Sequence, residues 1–441
     1  MDLDRRITDG GGAAYRRGKP ITITFDGRAY RAYEGEPVAV ALFASGAEVL
    51  TRSVKYHRPR AFFCLDGHCA SCLLRVDDLP NMRSCVSACR DDLEVKSQNA
   101  YPGSDLDVLG AVDWLFPDGM DHHTLMTKST IVNQVMQKIV RQLSGLGKAP
   151  TRVPRELPPT RTERVDVAVV GGGPAGLAAA RASAAAGART ILVDEQAEVG
   201  GQLLTHPAHG LGDATARADA ARAAGATLLA SSPVIAWFGE DEGGELGVAT
   251  PEGLLKLRAT RIVYATGGYD QMLPFEDNDR PGVFSARAIG RLVVRWGVRP
   301  GRHVALVGSE PWLATLADEL ARVGVEVVRV DPAVTPPLRV KGRAWVEGLV
   351  VDDGGKERTI PCDAIGLGGP PAPASELARQ HGAVVKLDRA AGGFAVTVDA
   401  YGRTSAPGIF ACGDVCGRRS IDEATHAGAR AGAVAASESV A

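Results

Sequence analysis

The 441-residue sequence predicts an α/β protein in which a small α+β unit with a cysteine-rich loop precedes a longer region of parallel-sheet nucleotide folds. Three observations predict it. Cys64, Cys69, Cys72, Cys85 and Cys89, five of eight cysteines, crowd into one short stretch. From Val165 onward, β-rich runs such as VDVAVV, TILVD and RIVYAT alternate with Ala-rich helical segments, as βαβ units do. A strand, glycine turn and helix pattern starts at Val165 and again at His303, which predicts two related nucleotide folds.

The length exceeds what one hydrophobic core supports, so two to four domains of about 100–150 residues are expected. A net charge of −2 without long like-charge blocks points away from nucleic acid and toward a small-molecule substrate or a protein partner. No apolar run approaches the roughly 20 residues of a membrane span, and the start MDLDRRITDGGG has no apolar signal core, so a cytoplasmic location is expected. Eight cysteines are too few for a disulfide scaffold, and their clustering suggests a metal site.

Residues 21–33, ITITFDGRAYRAY, read as two strands joined at Asp26-Gly27, a pair that tolerates the positive φ of a tight hairpin. A short helix follows from about Pro37, where a missing N–H costs little, to Gly46, suited to the left-handed residue after a helix end. The cysteine segment 64–89 comes next, and Leu93-Glu94-Val95 reads as a closing strand. Residues 101–160 loosen into a bridge with a helical stretch near 128–144, and the Pro/Arg-rich piece at 149–162 reads as a linker.

Cys64, Cys69, Cys72 and Cys85 have the spacing C-x4-C-x2-C-x12-C, that of a plant-type 2Fe–2S site. Each iron needs two thiolates, and a small-residue loop such as GHCASC lets backbone N–H groups point at the sulfurs. Zinc competes, but structural zinc sites usually show two separated short pairs, and only Cys69 and Cys72 form one here. Cys89 is an alternative fourth ligand or a spare thiol; His68 reads as a polar loop residue.

Gly171, Gly173 and Gly176 stand in G-x-G-x-x-G spacing after an apolar strand and before a helix opened by Pro174 and Ala175. About 20 residues on, Asp194 ends the second strand where it would accept hydrogen bonds from a ribose, with Glu195 as the alternative acid. The helix start supplies N–H groups and positive dipole to a pyrophosphate.

VVGGGPAGLAAA, DEQAEVGGQL at 194–203, YATGG at 264–268 and GIFACGDV at 408–415 together resemble the flavin domain of thioredoxin-reductase-type flavoproteins. The resemblance implies FAD, with Gly413 and Asp414 near its ribityl and pyrophosphate. It places Gly200, Gly201 and Gln202 beside its ring, and Ala265, Thr266 and Gly267 in the same pocket. The redox-active Cys-x-x-Cys of disulfide reductases has no counterpart beside these motifs; Cys412 and Cys416 read as structural. The second loop, VALVGSEPWLATLADELARVGVEVV, keeps Gly308 but carries Glu310 and Leu313 where glycine and a small residue belong. A carboxylate there repels a pyrophosphate, so pyridine-nucleotide binding is not expected.

GEPVAVALFASGAEVLTRSVKYHRPRAFF, the bridge near TLMTKSTIVNQVMQKIVRQLSGLGKAP and the flavin-type motifs, in this order, resemble the α subunits of heterotetrameric sarcosine oxidase. They also resemble those of hydroxyproline, proline and opine dehydrogenases and of hydrogen cyanide synthase. The implied fold is a small β-grasp ferredoxin-like domain followed by a two-dinucleotide-binding-domain, Rossmann-like flavoprotein. Residues 1–105 would form the ferredoxin-like domain and 106–164 the bridging helix and linker. Residues 165–282 with 366–441 would form the FAD-type domain, and 283–365 the second, NAD-type domain with a degenerate loop.

Two departures from sarcosine oxidase stand out. The sequence holds no counterpart of its folate-binding continuation, and it carries four cysteines where the first sarcosine oxidase domain resembles a ferredoxin without a cluster. The resemblance further implies an amine-oxidase-like β subunit with its own FAD, possible further small subunits, and FMN at a subunit boundary. NAD or ATP are alternatives to FAD in the α pocket. The expected function is therefore that of one subunit of an oxidoreductase whose substrate is a secondary amine or amino acid, the chemistry occurring in the partner. The alternatives are an NAD(P)H-dependent reductase feeding a ferredoxin-like domain, and a non-catalytic nucleotide-binding scaffold. The basic run Lys55, His57, Arg58 and Arg60 suits a phosphate or an acidic partner, or is a solvated loop.

Overall fold

The computed structural model describes residues 4–7, 17–53, 56–108, 131, 150, 158–239 and 244–440. Lys55, the expected helix near 128–144 apart from Ile131, and most of the linker at 149–162 lie outside the described residues. The chain divides into two compact units: Met1–Pro154, Leu273–Ser309 and Ala317–Leu367 form one, and Arg155–Met272, Glu310–Leu316 and Gly368–Ala441 the other.

The first unit contains a five-stranded sheet in the order Arg28–Tyr33, Pro20–Phe25, Glu94–Lys96, Leu73–Val76, Leu79–Arg83. The expected hairpin closes at Asp26 and Gly27, both at positive φ, with Phe25 opposite Arg28. The expected helix is Val38–Ala44, every residue of it buried, with Pro37 as its N-cap and Gly46 at φ +94° just beyond. The closing strand, Glu94–Lys96, runs parallel to Pro20–Phe25, as a β-grasp arrangement requires.

The same unit holds a four-stranded parallel sheet, Val283–Ser285, Ala364–Leu367, His303–Val307 and Glu326–Val330, beside an antiparallel sheet of Pro337–Lys341, Gly348–Asp352 and Glu357–Pro361. These sheets pack directly on the cysteine-bearing part. Phe62 stacks on Phe284 with centroids 5.0 Å apart, and Phe43 lies 5.3 Å from Phe62 and 5.9 Å from Trp345. Phe63 and Cys64 join a buried cluster with Val283, Ala305, Val307 and Ile365. The N-terminal segment stitches both parts together: Arg5 N–H donates to Ala44 O, Ile7 N–H to Gly297 O, and the Arg5 guanidinium lies 4.4 Å from the Phe43 ring centroid. Aromatic pairs of this kind add about 0.5–1.5 kcal/mol each beyond their burial.

The second unit is built on a seven-stranded sheet. Thr227–Leu229, Thr190–Val193, Thr160–Val170 and Gly253–Tyr264 follow one another in parallel; Glu245–Thr250 and Val234–Phe238 continue antiparallel; Ile409–Ala411 pairs in parallel with the end of Gly253–Tyr264. The helix Pro174–Ala185 packs on the sheet and on the C-terminal helix Ile421–Val440. Small residues allow a near-touching approach. A Cβ on Gly428 would sit 2.0 Å from Ala175 O and one on Gly432 2.2 Å from Ala179 O, while Ser183 Oγ donates to Gly432 O at 3.0 Å. Among the described residues no helix is long and apolar enough to cross a membrane.

Glycine inside a helix ordinarily costs about 1 kcal/mol relative to alanine, so Gly428→Ala would be stabilising on propensity alone. The contact with Ala175 O reverses the sign: G428A is expected to lose roughly 2 kcal/mol net through overpacking, read as a lowered urea midpoint. A raised midpoint would show that the two helices are not this close.

Candidate functional site

The cysteine loop of the first unit leaves a buried aromatic segment at Phe63 and enters the strand Leu73–Val76 at Cys72. Leu65, Gly67 and Ala70 adopt left-handed φ values of +51°, +84° and +54°, which turn the chain around the four sulfurs. Cys64 neighbours Cys69 and Cys85, and Cys72 neighbours Cys85, so the four thiols form one chain of neighbours, 69–64–85–72. Four neighbouring thiols are the number that two irons, each taking two thiolates, require. Among the described residues no group of three or more His, Cys, Asp and Glu surrounds a single point as one ion needs.

Backbone donors line the loop as the small residues promised. The N–H groups of Asp66 and Cys69 face the Cys64 sulfur, that of Ser71 the Cys69 sulfur, and that of Cys85 the Cys72 sulfur; Asp66 N stands 3.4 Å from Cys64 Sγ. The pKa values split accordingly. Contacts with Cys69 and Cys85 hold the Cys64 thiol well below the ordinary range, Cys72 falls to about 7 through Cys85, and Cys69 and Cys85 are pushed up because a neighbour ionises first. The site thus offers sulfurs prepared to ionise but unable to do so together without a cation.

Cys89 is buried and pushed up to about 12 by desolvation and by Glu36, and it responds to Glu36 and Arg6 rather than to the other thiols. His68 Nε2 lies 3.7 Å from Asp66 Oδ2. The basic run does not form one solvated surface: His57 is buried against Asp107 at 2.8 Å, while Arg58 and Arg60 each stand 3.7 Å from Asp279.

In the second unit the first glycine loop follows the strand Thr160–Val170. Its three glycines do three different things. Gly171, at φ +104°, passes so close to Ala265 O that a Cβ would lie 2.3 Å from it; a Cβ on Gly176 would lie 1.8 Å from Gly171 O. Gly173 faces open space at the start of the helix Pro174–Ala185, where N–H groups and the helix dipole point outward. An anionic pyrophosphate needs this arrangement of one tight turn, one open approach and one close packing contact.

The other predicted positions gather around that helix start. Asp194 accepts from Gly172 N–H and from Gln196 N–H (2.8 Å), so its carboxylate also shapes the loop, and Glu195 follows it directly. Gly200 N–H donates to Gly172 O at 2.8 Å, and a Cβ on Gly201 would be 3.0 Å from Gly173 Cα. Gln202 Nε2 donates to Asp414 Oδ2, and Asp414 Oδ1 accepts from Arg419 N–H at 3.1 Å. A Cβ on Gly413 would meet Ala175 Cβ at 3.0 Å. Ala265 N–H continues the sheet to Val170 O, Thr266 Oγ1 donates to Ala374 O at 2.7 Å, and Gly267 turns at φ +72°.

Sequence reasoning missed Arg419, which no motif marks, and Tyr269, whose hydroxyl donates to Glu376 at 3.2 Å. Burial pushes the Tyr269 phenol up to about 12, and Glu376 and Glu195 add to the shift. Cys412 and Cys416 are both thiols whose pKa is raised by burial.

The second loop is filled by its own side chains. Glu310 is only 6% exposed, and its Oε2 lies 2.9 Å from Arg418 Nε. Leu313 is fully buried, and its methyl carbons sit 2.7–2.8 Å from where a Cβ on Gly368 would stand.

Residues 18–100 match the 2Fe-2S iron-sulfur cluster binding domain, and residues 165–346 and 314–431 match the pyridine nucleotide-disulphide oxidoreductase family. The chain is 33% identical to the alpha chain of the sarcosine oxidase of Rhizobium meliloti (strain 1021), over 83% of its own length and 41% of the relative's. It is 25% identical to an opine oxidase subunit of Agrobacterium tumefaciens (strain Ach5), over 57% of its own length and 61% of the relative's. It therefore spans well under half of the sarcosine oxidase chain. In fold it is similar to L-proline dehydrogenase from P. horikoshii, with a TM-score of 0.73 at 22% identity, over 99% of this chain and 76% of that one. These matches assign a 2Fe–2S cluster and FAD to the chain, and the thiol set and the glycine loop fit them. The chain belongs to the pyridine nucleotide-disulphide oxidoreductase family, joined to an N-terminal 2Fe–2S domain and related to the α subunits of sarcosine oxidase.

Proposed function

We propose that the chain is the α subunit of a heteromeric dehydrogenase that oxidises a secondary amine or amino acid of the hydroxyproline, proline, opine or sarcosine class. It receives the electrons and passes them on, while a flavin-bearing β subunit handles the substrate in the cytoplasm. The observation that carries this reading is the coexistence of a four-thiol loop and an open flavin-type loop with a second nucleotide loop occupied by Glu310, Arg418 and Leu313. A chain that drew electrons from NAD(P)H would need that second loop open.

Bound here, a 2Fe–2S cluster supplies one-electron transfer and FAD two-electron transfer. Cys64, Cys69, Cys72 and Cys85 would hold the irons, with the N–H groups of Asp66, Cys69, Ser71 and Cys85 offsetting the charge on sulfur. Gly171, Gly173 and Gly176, with Pro174 and Ala175 at the helix start, would hold the pyrophosphate. Asp194 or Glu195 would take the ribose, and Ala265, Thr266 and Gly267 would form the wall beside it. Gly201, Gln202, Gly413 and Asp414 would line the ribityl and ring side, the Gln202–Asp414 hydrogen bond fixing both loops. We assign the ferredoxin-like part to residues 1–105, the bridge to 106–164, the FAD-type domain to 165–282 with 366–441, and the NAD-type domain to 283–365.

Replacing one ligand should remove the cluster: Cys85→Ser is expected to lower iron and acid-labile sulfide severalfold in anaerobically purified protein, whereas Cys89→Ser leaves both unchanged. Equal loss in the two variants would make Cys89 a ligand. The purified chain alone should release FAD on denaturation and show negligible turnover of proline, sarcosine or an opine with an artificial acceptor; brisk turnover would place the chemistry in this chain. Anaerobic NADPH should leave the flavin absorbance intact, and rapid bleaching would instead support a pyridine-nucleotide-fed reductase.

A further inference from the structure

The cysteine loop is gripped from outside its own domain. Ser285 N–H donates to Phe63 O at 3.0 Å, one residue before the first sulfur. Beyond Ser285 the helix Ala286–Gly290 runs into a π-helical turn, Arg291–Arg295, a local departure that proteins often place at functional positions. The first residue of that turn reaches the loop: Arg291 Nη1 donates to Leu65 O at 2.8 Å and to Asp66 Oδ1. Asp66 in turn aims its N–H at Cys64 Sγ. The Arg291 side chain is 12% exposed and that of Asp66 28%, so this ion pair is only partly screened by water.

We infer that Arg291, supplied by the NAD-type domain, is a positioning residue that sets the reduction potential of the centre held by Cys64, Cys69, Cys72 and Cys85. The inference rests on the reading that the four thiols hold a 2Fe–2S cluster. Two effects act through one side chain. By fixing Leu65 O and the Asp66 carboxylate, Arg291 holds the 65–66 backbone, with Leu65 at φ +51°, so that the Asp66 N–H keeps facing sulfur. Its charge also cancels that of Asp66. A four-thiolate centre is already anionic and gains a further negative charge on reduction, so a carboxylate beside it that has lost its guanidinium partner disfavours the reduced form, even with His68 Nε2 3.7 Å away.

This gives the second dinucleotide fold a task other than nucleotide binding. Its loop is filled by Glu310 and Leu313, yet its Val283–Ser285 strand and the turn at Arg291 contact the cysteine segment through Phe284, Ser285 and Arg291. The fold serves as the seat of the metal loop.

The test is a mediated dithionite titration of the full chain, followed by the paramagnetic signal of the reduced cluster, with iron and sulfide counted in each sample. Arg291→Gln should lower the midpoint, cutting the reduced-to-oxidised ratio about tenfold at the wild-type midpoint, equivalent to 59 mV for a one-electron couple. Arg291→Lys, which keeps the charge, should stay closer to the wild type. Asp66→Asn, which leaves the cation, should shift the midpoint upward. Loop loosening alone would move R291Q and D66N the same way, so opposite signs support the inference. Unchanged midpoints, or shifts of one sign, in iron-replete variants overturn it. If R291Q sheds its iron, R291K near the wild-type midpoint with D66N shifted upward supports the inference, and D66N unchanged or shifted downward overturns it. A wild-type chain without iron or sulfide would sink the cluster reading instead.

Discussion

Four cysteine sulfurs linked one to the next cannot all be thiolates unless positive charge lies beside them. At about 4 Å, two unit charges repel by roughly 4 kcal/mol in surroundings of effective dielectric near 20. The loop answers with a split: Cys64 and Cys72 are drawn toward ionisation, and Cys69 and Cys85 are pushed away from it. Bound iron would remove the conflict, because each thiolate would then face a cation rather than another anion. The left-handed residues Leu65, Gly67 and Ala70, the inward amides and the anchoring of the loop by Ser285 and Arg291 all serve this one crowded arrangement.

The dinucleotide domains show one architecture put to two uses. In the first loop the glycines bring backbone against backbone at Ala265 and Gly171 while Gly173 stays open, so the helix dipole remains available to an anion. In the second, Glu310 supplies the anion itself, and Arg418 neutralises it. The aromatic contacts of Phe284 and Trp345 with Phe43 and Phe62 also make that fold a support for the cysteine-bearing part.

Much of this was legible along the chain wherever the physics is local. Cys64, Cys69 and Cys72 lie within nine residues, so their spacing carries the geometry of a shared centre. Asp26-Gly27 turns a hairpin because those two residues accept positive φ, and Pro37 and Gly46 bracket a helix for equally local reasons. The Gln202–Asp414 contact was not legible as a contact, although both residues stood in motifs: 212 positions separate them. Gly428 and Gly432 look like poor helix formers until the Ala175 and Ala179 carbonyls are placed against them.

The sequence by itself determined the family and marked the candidate thiols and the two glycine loops, because each is written in the spacing of a few neighbouring residues. Only the tertiary structure decided what surrounds them. Arg291 lies 225 positions from Asp66, Arg418 lies far along the chain from Glu310, and His57 is buried against Asp107 rather than presented with its basic neighbours. Such pairs form because folding brings distant side chains into low-dielectric contact, where charge must find charge, and no local pattern records which partner it will be.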